Sequence, residues 1–199
     1  MSLKEYFDQV ASKWDSIMGP AEAVKLEEIL NSCCIPNGAE ILDAACGTGI
    51  ITPILLEAVG SSGTVTAVDF APEMIIRARA KNFGPNARFL VADVMDLPFE
   101  NCTFDLVVCN GSLPHFPDLK GSLREMKRVL KNGGRLIISH ANSREEINAT
   151  HRKIGGPVAD DLLPTAVELE SMLKNAGYIE INFEDKPDRF VFLATKPSA

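Results

Sequence analysis

The stretch Ile41-Leu42-Asp43-Ala44-Ala45-Cys46-Gly47-Thr48-Gly49 decides how the rest of this chain is read. An apolar run, Glu40–Asp43, leads into it, and a segment apolar on most faces, Ile50–Val59, follows. The order is therefore strand, small-residue turn, helix. Small residues let the backbone approach a ligand closely, and the first turn of a helix offers unpaired N–H groups. A dinucleotide-binding turn would read G-x-G-x-x-G, its last glycine packing helix against strand. Here Gly47-Thr48-Gly49 is followed by Ile50, Ile51 and Thr52, so the third glycine is absent. Asp43 would also set a like charge beside a pyrophosphate. It suits a ligand carrying a cationic amine, although a purely structural turn in another α/β fold would look the same.

Working outward, apolar runs recur at Thr64–Asp69, Ala87–Val91, Phe104–Asn110, Arg135–His140, Tyr178–Glu184 and Phe190–Thr195. Helical patterns fall between them. Pro72–Asn82 opens with proline at a helix start. Leu119–Leu130 runs into Asn132-Gly133-Gly134, read as a C-cap, and Thr165–Ala176 opens on a Thr165-x-x-Glu168 capping box and stops at Gly177. Strands alternating with such helices imply βαβ crossovers and a parallel sheet covered on both faces. The last two runs are separated only by Asp185-Lys186-Pro187-Asp188, too short for a crossover helix. They must form a hairpin, which places an antiparallel strand at or near the sheet edge.

The 199 residues are enough for one well-buried domain and short for two, so one domain is expected over 1–199. A net charge of −7, with no Lys/Arg block, argues against a nucleic-acid partner. Nothing near Met1 resembles a secretory h-region, and no apolar run approaches the roughly 18 residues of a membrane span. The five cysteines are odd in number and read as reduced core thiols, Cys33-Cys34 at a helix end included. A cytoplasmic protein, monomer or homodimer, is the expectation.

Further ligand signals stand where strands end. Asp69 closes the second strand, twenty residues after Gly49, where a carboxylate can accept from both ribose hydroxyls of a nucleoside. Phe70 and Met74 follow and could flank a purine, while a helix-capping role for Asp69 before Pro72 is compatible with ribose binding. Asp93-Val94 closes the third strand, where the carboxylate can accept from an adenine amine and the next N–H can donate to the ring. Cys109-Asn110-Gly111 closes the fourth. Open α/β sheets bind ligands at these carboxyl ends.

With those residues in view, the chain resembles the class I S-adenosylmethionine (SAM)-dependent methyltransferases, and within them the quinone-biosynthesis C-methyltransferases. Asp43–Gly49 is similar to the family's glycine-rich first motif, with Ala45 in place of the commonest first glycine, a change read as adding only a methyl group. Asp93, Leu97-Pro98-Phe99 and Phe104-Asp105-Leu106-Val107 resemble the central segment, and Leu130-Lys131-Asn132-Gly133-Gly134 the run into the fifth strand. The resemblance covers about Tyr6 to Lys196. It implies a Rossmann-like α/β fold with a seven-stranded sheet, order 3-2-1-4-5-7-6, strand 7 antiparallel. It implies SAM as cofactor, its methionine end held by Asp43, Ala45, Gly47 and Gly49. Asp69 would hold ribose, Phe70 and Met74 adenine, Asp93 and Val94 its edge, while Asn110 lines the methionine side through its backbone. Tyr6 and Trp14 would lie in an N-terminal helix, within a helical cover of about 1–36, that closes over the site.

Methyl transfer from a sulfonium needs no activation of the donor, but a nitrogen, oxygen or carbon acceptor can need a base. The three histidines fall near the expected acceptor side: His115 after the fourth strand, His140 at the end of the fifth, and His151 in a polar lid or insertion of about 142–164. Strand-end geometry favours His140, and a capping or solvated role competes for His115 and His151. Without tight ligand spacing no metal is expected, Asp160 and Asp161 included. The expected acceptor is a small polar or acidic metabolite. A non-catalytic SAM-binding regulator is the alternative, and a dinucleotide-dependent oxidoreductase a more distant one.

Overall fold

The computed structural model describes residues 1–198. In chain order the helices and strands are α1 (Leu3–Val10), α2 (Trp14–Ser32), β1 (Glu40–Ala44), α3 (Thr52–Val59), β2 (Thr64–Asp69), α4 (Pro72–Ala80), β3 (Ala87–Val91), β4 (Phe104–Asn110), α5 (Leu119–Val129), β5 (Leu130–His140), α6 (Arg144–Ile154), α7 (Ala166–Asn175), β6 (Ile179–Lys186) and β7 (Arg189–Thr195). The seven strands form one sheet in the order β3-β2-β1-β4-β5-β7-β6. All pairs are parallel except those of β7, which runs antiparallel to both β5 and β6. The terminal hairpin thus sits where its short connection requires.

Strand alternation divides the core. Leu42 and Ala44 of β1, Val107 and Cys109 of β4, and Leu136 and Ile138 of β5 join a cluster with Leu123 and Met126 of α5 and Leu169 and Leu173 of α7. Ile41, Leu106, Val108 and Ile137 point the other way, onto Leu26, Ile29 and Leu30 of α2 and Leu55 and Val59 of α3. With side chains alternating every residue, a strand buried on both faces must be apolar throughout, which is why these runs are continuous.

Three expectations change. Asn132-Gly133-Gly134 is not a C-cap: α5 ends at Val129, Leu130 is already extended (φ −69°, ψ 139°), and β5 runs through the glycines. There the Gly133 N–H donates to Lys196 O (3.0 Å) and the Lys196 N–H to Gly134 O (2.8 Å), continuing the β5–β7 ladder. Tyr6 and Trp14 do not share a helix. A 3₁₀ turn, Ala11–Lys13, separates α1 from α2, and Gly19 (φ 67°, ψ 165°) breaks α2 just before Pro20. Only glycine adopts that backbone cheaply, and proline, lacking an N–H, suits the first turn beyond it. Of the cysteines, Cys33, Cys46 and Cys109 are buried as expected, but Cys34 and Cys102 are exposed.

Candidate active site

The carboxyl ends of β1, β2 and β4 meet at the turn after β1. Ala45 (φ 62°), Gly47 (φ 55°) and Gly49 (φ 76°) all take left-handed backbone there. Ala45 therefore adds more than a methyl group: it holds a conformation that costs an L-residue about 1–2 kcal/mol. A Cβ on Gly49 would stand 3.0 Å from Thr52 Oγ1 and crowd the Phe83 and Phe89 rings, so this glycine is required twice over. Asp69 ties the turns together. Its Oδ2 accepts from the Gly47 N–H (2.8 Å) and its Oδ1 from the Ala71 N–H (2.9 Å), while each oxygen keeps a lone pair for a further donor. Burial pushes its carboxyl up to about 6 against the pull of those two bonds. Capping of α4 falls instead to Asp8, whose Oδ1 accepts from the Glu73 N–H (3.0 Å).

Asp43 is 1% exposed, and neither carboxylate oxygen has a hydrogen-bond partner. Burial, with the Asp69 charge adding to it, pushes its carboxyl up to about 8. Asp93 is exposed and closes its own turn, Oδ1 accepting from the Met95 N–H (2.8 Å), while Val94 is buried. The Ala92 N–H donates to Asp69 O (3.0 Å), which sets this turn beside Asp69. Asn110 Oδ1 accepts from the Ser139 hydroxyl (2.8 Å), which ties its side chain to β5.

Over this floor lies the N-terminal arm. The Trp14 Nε1 atom stands 3.2 Å from where a Gly47 Cβ would be. Phe7 meets Trp14, Phe70 and His115 edge to face, with ring centroids 5.7, 5.9 and 5.0 Å apart. Met74 is packed into the same cluster with Phe7, Ala11 and Ala71. Asp15 accepts from the Thr48 hydroxyl and pairs with Lys81 Nζ at 2.8 Å. A cleft of about 300 Å³ opens beside the break in α2, lined by Asp15, Met18, Gly19, Gly49, Lys81 and Phe83.

The three histidines are close enough to influence one another, but their surroundings differ. His140 is buried against Phe190 (6.1 Å), its Nε2 has no partner, and burial pushes its pKa down to about 3. His115, 11% exposed at the side chain, places Nδ1 2.8 Å from Asp161 Oδ2. His151 lies 4.9 Å from the His115 ring and bonds through Nδ1 to the Asp161 carbonyl; burial holds its pKa below the ordinary range. Among the described residues no three His, Cys, Asp or Glu groups are placed to hold a metal ion, and no helix is long and apolar enough to cross a membrane.

Comparison with known proteins accounts for this arrangement. Residues 42–138 match the methyltransferase domain family. A demethylmenaquinone methyltransferase of Staphylococcus aureus strain MRSA252 is 34% identical over 136 residues, which span 66% of this chain and 56% of that protein. The one from strain JH9 is 28% identical over 88% of this chain and 84% of its own length. Among solved structures, a SAM-dependent methyltransferase from Aquifex aeolicus superposes with a TM-score of 0.76 at 23% identity, covering 93% of this chain and 97% of its own. A Haemonchus contortus phosphoethanolamine N-methyltransferase solved with SAM gives 0.78 at 16% identity, covering 96% and 57%.

This chain belongs to the class I SAM-dependent methyltransferases.

Its cofactor is SAM, and the residues present fit that group. A buried carboxyl without a partner is costly, and the two free oxygens of Asp43 suit the cationic end of such a ligand. Asp69 retains lone pairs for hydroxyl donors. The dinucleotide alternative falls with the family assignment, and the structure supplies the reason. Thr52, where a third glycine would stand, is fully buried with Oγ1 pressed toward Gly49. Sequence reasoning missed Phe7, Asp15 and Lys81, which carry no motif, and weighed Asp161 beside the histidines only as a disfavoured metal ligand. The usable signal for Asp161 was Gly155-Gly156-Pro157, whose two left-handed glycines (φ 71° and 62°) turn the chain back after α6.

Proposed function

We propose that this methyltransferase transfers the methyl group of SAM to a small polar or acidic metabolite, His115 taking the acceptor's proton. The observation that carries this reading is the 2.8 Å pair of His115 Nδ1 and Asp161 Oδ2, beside the ends of β2 and β4. Bound SAM supplies a methyl group already activated on a sulfonium. The chain's own residues then hold, exclude water and move a proton. Asp43, Ala45, Gly47 and Gly49 hold the methionine end, with the Asn110 backbone along it; Asp69 takes the ribose hydroxyls. Phe70 and Met74 flank the adenine, and Asp93 and Val94 read its edge. Phe7 and Trp14 keep water out. A carboxylate behind the imidazole orients the ring and steadies the charge it gains as a base.

Of the three histidines, His115 has that carboxylate, whereas His140 stays neutral in the core and serves packing. Exposed Arg152 and Lys153 on α6, next to His151, favour an acidic acceptor, and the net charge of −7 favours a small molecule over nucleic acid. The Staphylococcus aureus relatives, named for demethylmenaquinone, and the aromatic wall of Phe7 and Phe70 favour a second reading, a quinone-type acceptor.

The test is S-adenosylhomocysteine release from SAM against a panel of hydroxy acids, amines and quinols. On the acceptor so found, His115→Gln should lower kcat about 10²-fold with S-adenosylhomocysteine affinity unchanged. Unchanged turnover in His115→Gln, His140→Gln and His151→Gln would remove the histidine base.

A further inference from the structure

The chain leaves α6 at Ile154, reverses at Gly155 and Gly156, and forms a 3₁₀ turn over Gly156–Val158 anchored by buried Val158. The Asp161 N–H then donates to Val158 O (3.1 Å). Two residues on, a polar clamp fixes the returning strand of chain to α6. The Leu163 N–H donates to Asn148 Oδ1 (2.8 Å), and Leu163 O accepts from Asn148 Nδ2 (3.2 Å) and Arg144 Nε (3.0 Å). Asn148 is buried, so both ends of its amide are satisfied where water does not compete. This clamp delivers Asp161 to both histidines at once. Its carboxylate reaches His115, which sits at the end of the 3₁₀ turn Leu113–His115 after β4, and its backbone carbonyl reaches His151.

A carbonyl oxygen can only accept, so His151 Nδ1 must carry the hydrogen. A carboxylate likewise takes the Nδ1–H of His115. In a neutral imidazole the lone pair then stands on the other nitrogen. We propose that Asp161 is the positioning residue of the acceptor site, fixing His115 through its side chain and His151 through its main chain in the Nδ1–H tautomer. Each ring then presents an unprotonated Nε2. The proposal rests on the reading of His115 as the acceptor's base. In that step the bond from sulfur to methyl breaks as the bond from acceptor to methyl forms. The acceptor's proton passes to His115 Nε2, and the resulting imidazolium is held against the Asp161 carboxylate. Asp161 itself neither touches the reacting atoms nor changes protonation.

The two grips differ in kind, and this makes the proposal testable. Asp161→Asn can turn its amide NH₂ toward His115 Nδ1 and favour the opposite tautomer, whereas the carbonyl that holds His151 is main chain and survives the substitution. The experiment is long-range ¹H–¹⁵N correlation on the full chain with ¹⁵N-labelled histidine, in the presence of S-adenosylhomocysteine. In the wild type, His115 and His151 should both show a protonated Nδ1 and a lone-pair Nε2. In Asp161→Asn, His115 should lose that pattern and His151 should keep it, with kcat falling about 10²-fold and KM little changed. Asp161→Glu should restore the His115 pattern. An Nε2–H tautomer on either ring of the wild type would overturn the proposal, without any variant having to fold. A His115 pattern that Asp161→Asn leaves untouched would overturn it as well. The base reading fails separately: unchanged turnover in His115→Gln, with the Nδ1–H pattern intact, removes the base and leaves the tautomer assignment standing.

Discussion

Asp43 stands in the core at a cost to the fold. Its carboxyl has no hydrogen-bond partner, and burial beside Asp69 raises its pKa from 3.8 to about 8. An acid raised in this way binds a proton in the folded state that the unfolded chain has already lost. Stability therefore falls as pH climbs from about 4 to about 8, with a limiting slope of about 1.4 kcal/mol per pH unit. Asp69, raised to about 6, adds the same sign up to that pH. His140, lowered to about 3, has the opposite sign below 6.5, because there the unfolded state binds the extra proton. Between pH 6.5 and 8 only the Asp43 contribution among these three is still changing. Urea unfolding across that window should show wild-type stability declining by up to about 2 kcal/mol relative to Asp43→Asn. Parallel profiles would mean that Asp43 ionises freely in the folded protein. The position of Asp43 was legible because a charge at the end of an apolar strand needs a reason. The strain at Ala45 was not, because residue identity does not report φ.

At the scale of elements, the arm formed by α1 and the first part of α2 is held by its aromatic side chains more than by its ion pair. The Asp15–Lys81 bridge is 54% and 29% exposed at its two side chains, which limits it to under about 1 kcal/mol. Phe7 is buried among Ala71, Met74, Phe70 and His115, and truncating such a ring costs about 3 kcal/mol. Because the arm ends at the Gly19 hinge, the loss should appear as local opening and not as global unfolding. Phe7→Ala should therefore speed tryptic cleavage at Lys13 roughly 10²-fold and move the emission of Trp14, the chain's one tryptophan, to longer wavelength. Asp15→Asn should change the cleavage rate less than about fivefold. Wild-type emission and cleavage in Phe7→Ala would show that the arm is docked by something else. The arm was only half readable: a helical cover over the first residues was expected, but the 3₁₀ turn Ala11–Lys13 and the break at Gly19-Pro20 are backbone features that residue identity marks only through the Gly-Pro pair. Gly133-Gly134 misled for a related reason. Glycine after a helical run signals a C-cap, but here the strand register absorbs it, the β4–β5 pairing shifting between Phe104 and Leu106. The Thr165–Glu168 box, by contrast, names its own hydrogen bonds, and both are present.

For the whole molecule, two facts that survive any error in element ends made a parallel sheet ending in an antiparallel hairpin readable, namely alternating strands and helices and a final connection too short for a crossover; the strand order itself came from the resemblance to the methyltransferase family. What the sequence could not convey is closure. Phe7 and Trp14 on the arm, Lys81 after α4 and Asp161 after α6 come from three separate segments, and only the assembled fold sets Trp14 over Gly47, Lys81 against Asp15 and Asp161 against His115. Ligand binding at that junction should therefore stabilise floor and arm together. A ligand at a hundred times its Kd adds about 2.7 kcal/mol to the folded state. In a domain of this size each kcal/mol moves the melting temperature by about 2–4 °C. Saturating S-adenosylhomocysteine should thus raise the melting temperature by about 5–10 °C. NAD at the same concentration should leave it within about 1 °C, because Thr52 fills the place of the third glycine. Stabilisation by NAD would mean that the turn admits a dinucleotide in spite of that obstacle. Stabilisation by neither ligand would mean that the arm, closed on Gly47 through Trp14, holds the site shut more strongly than the ligand can open it.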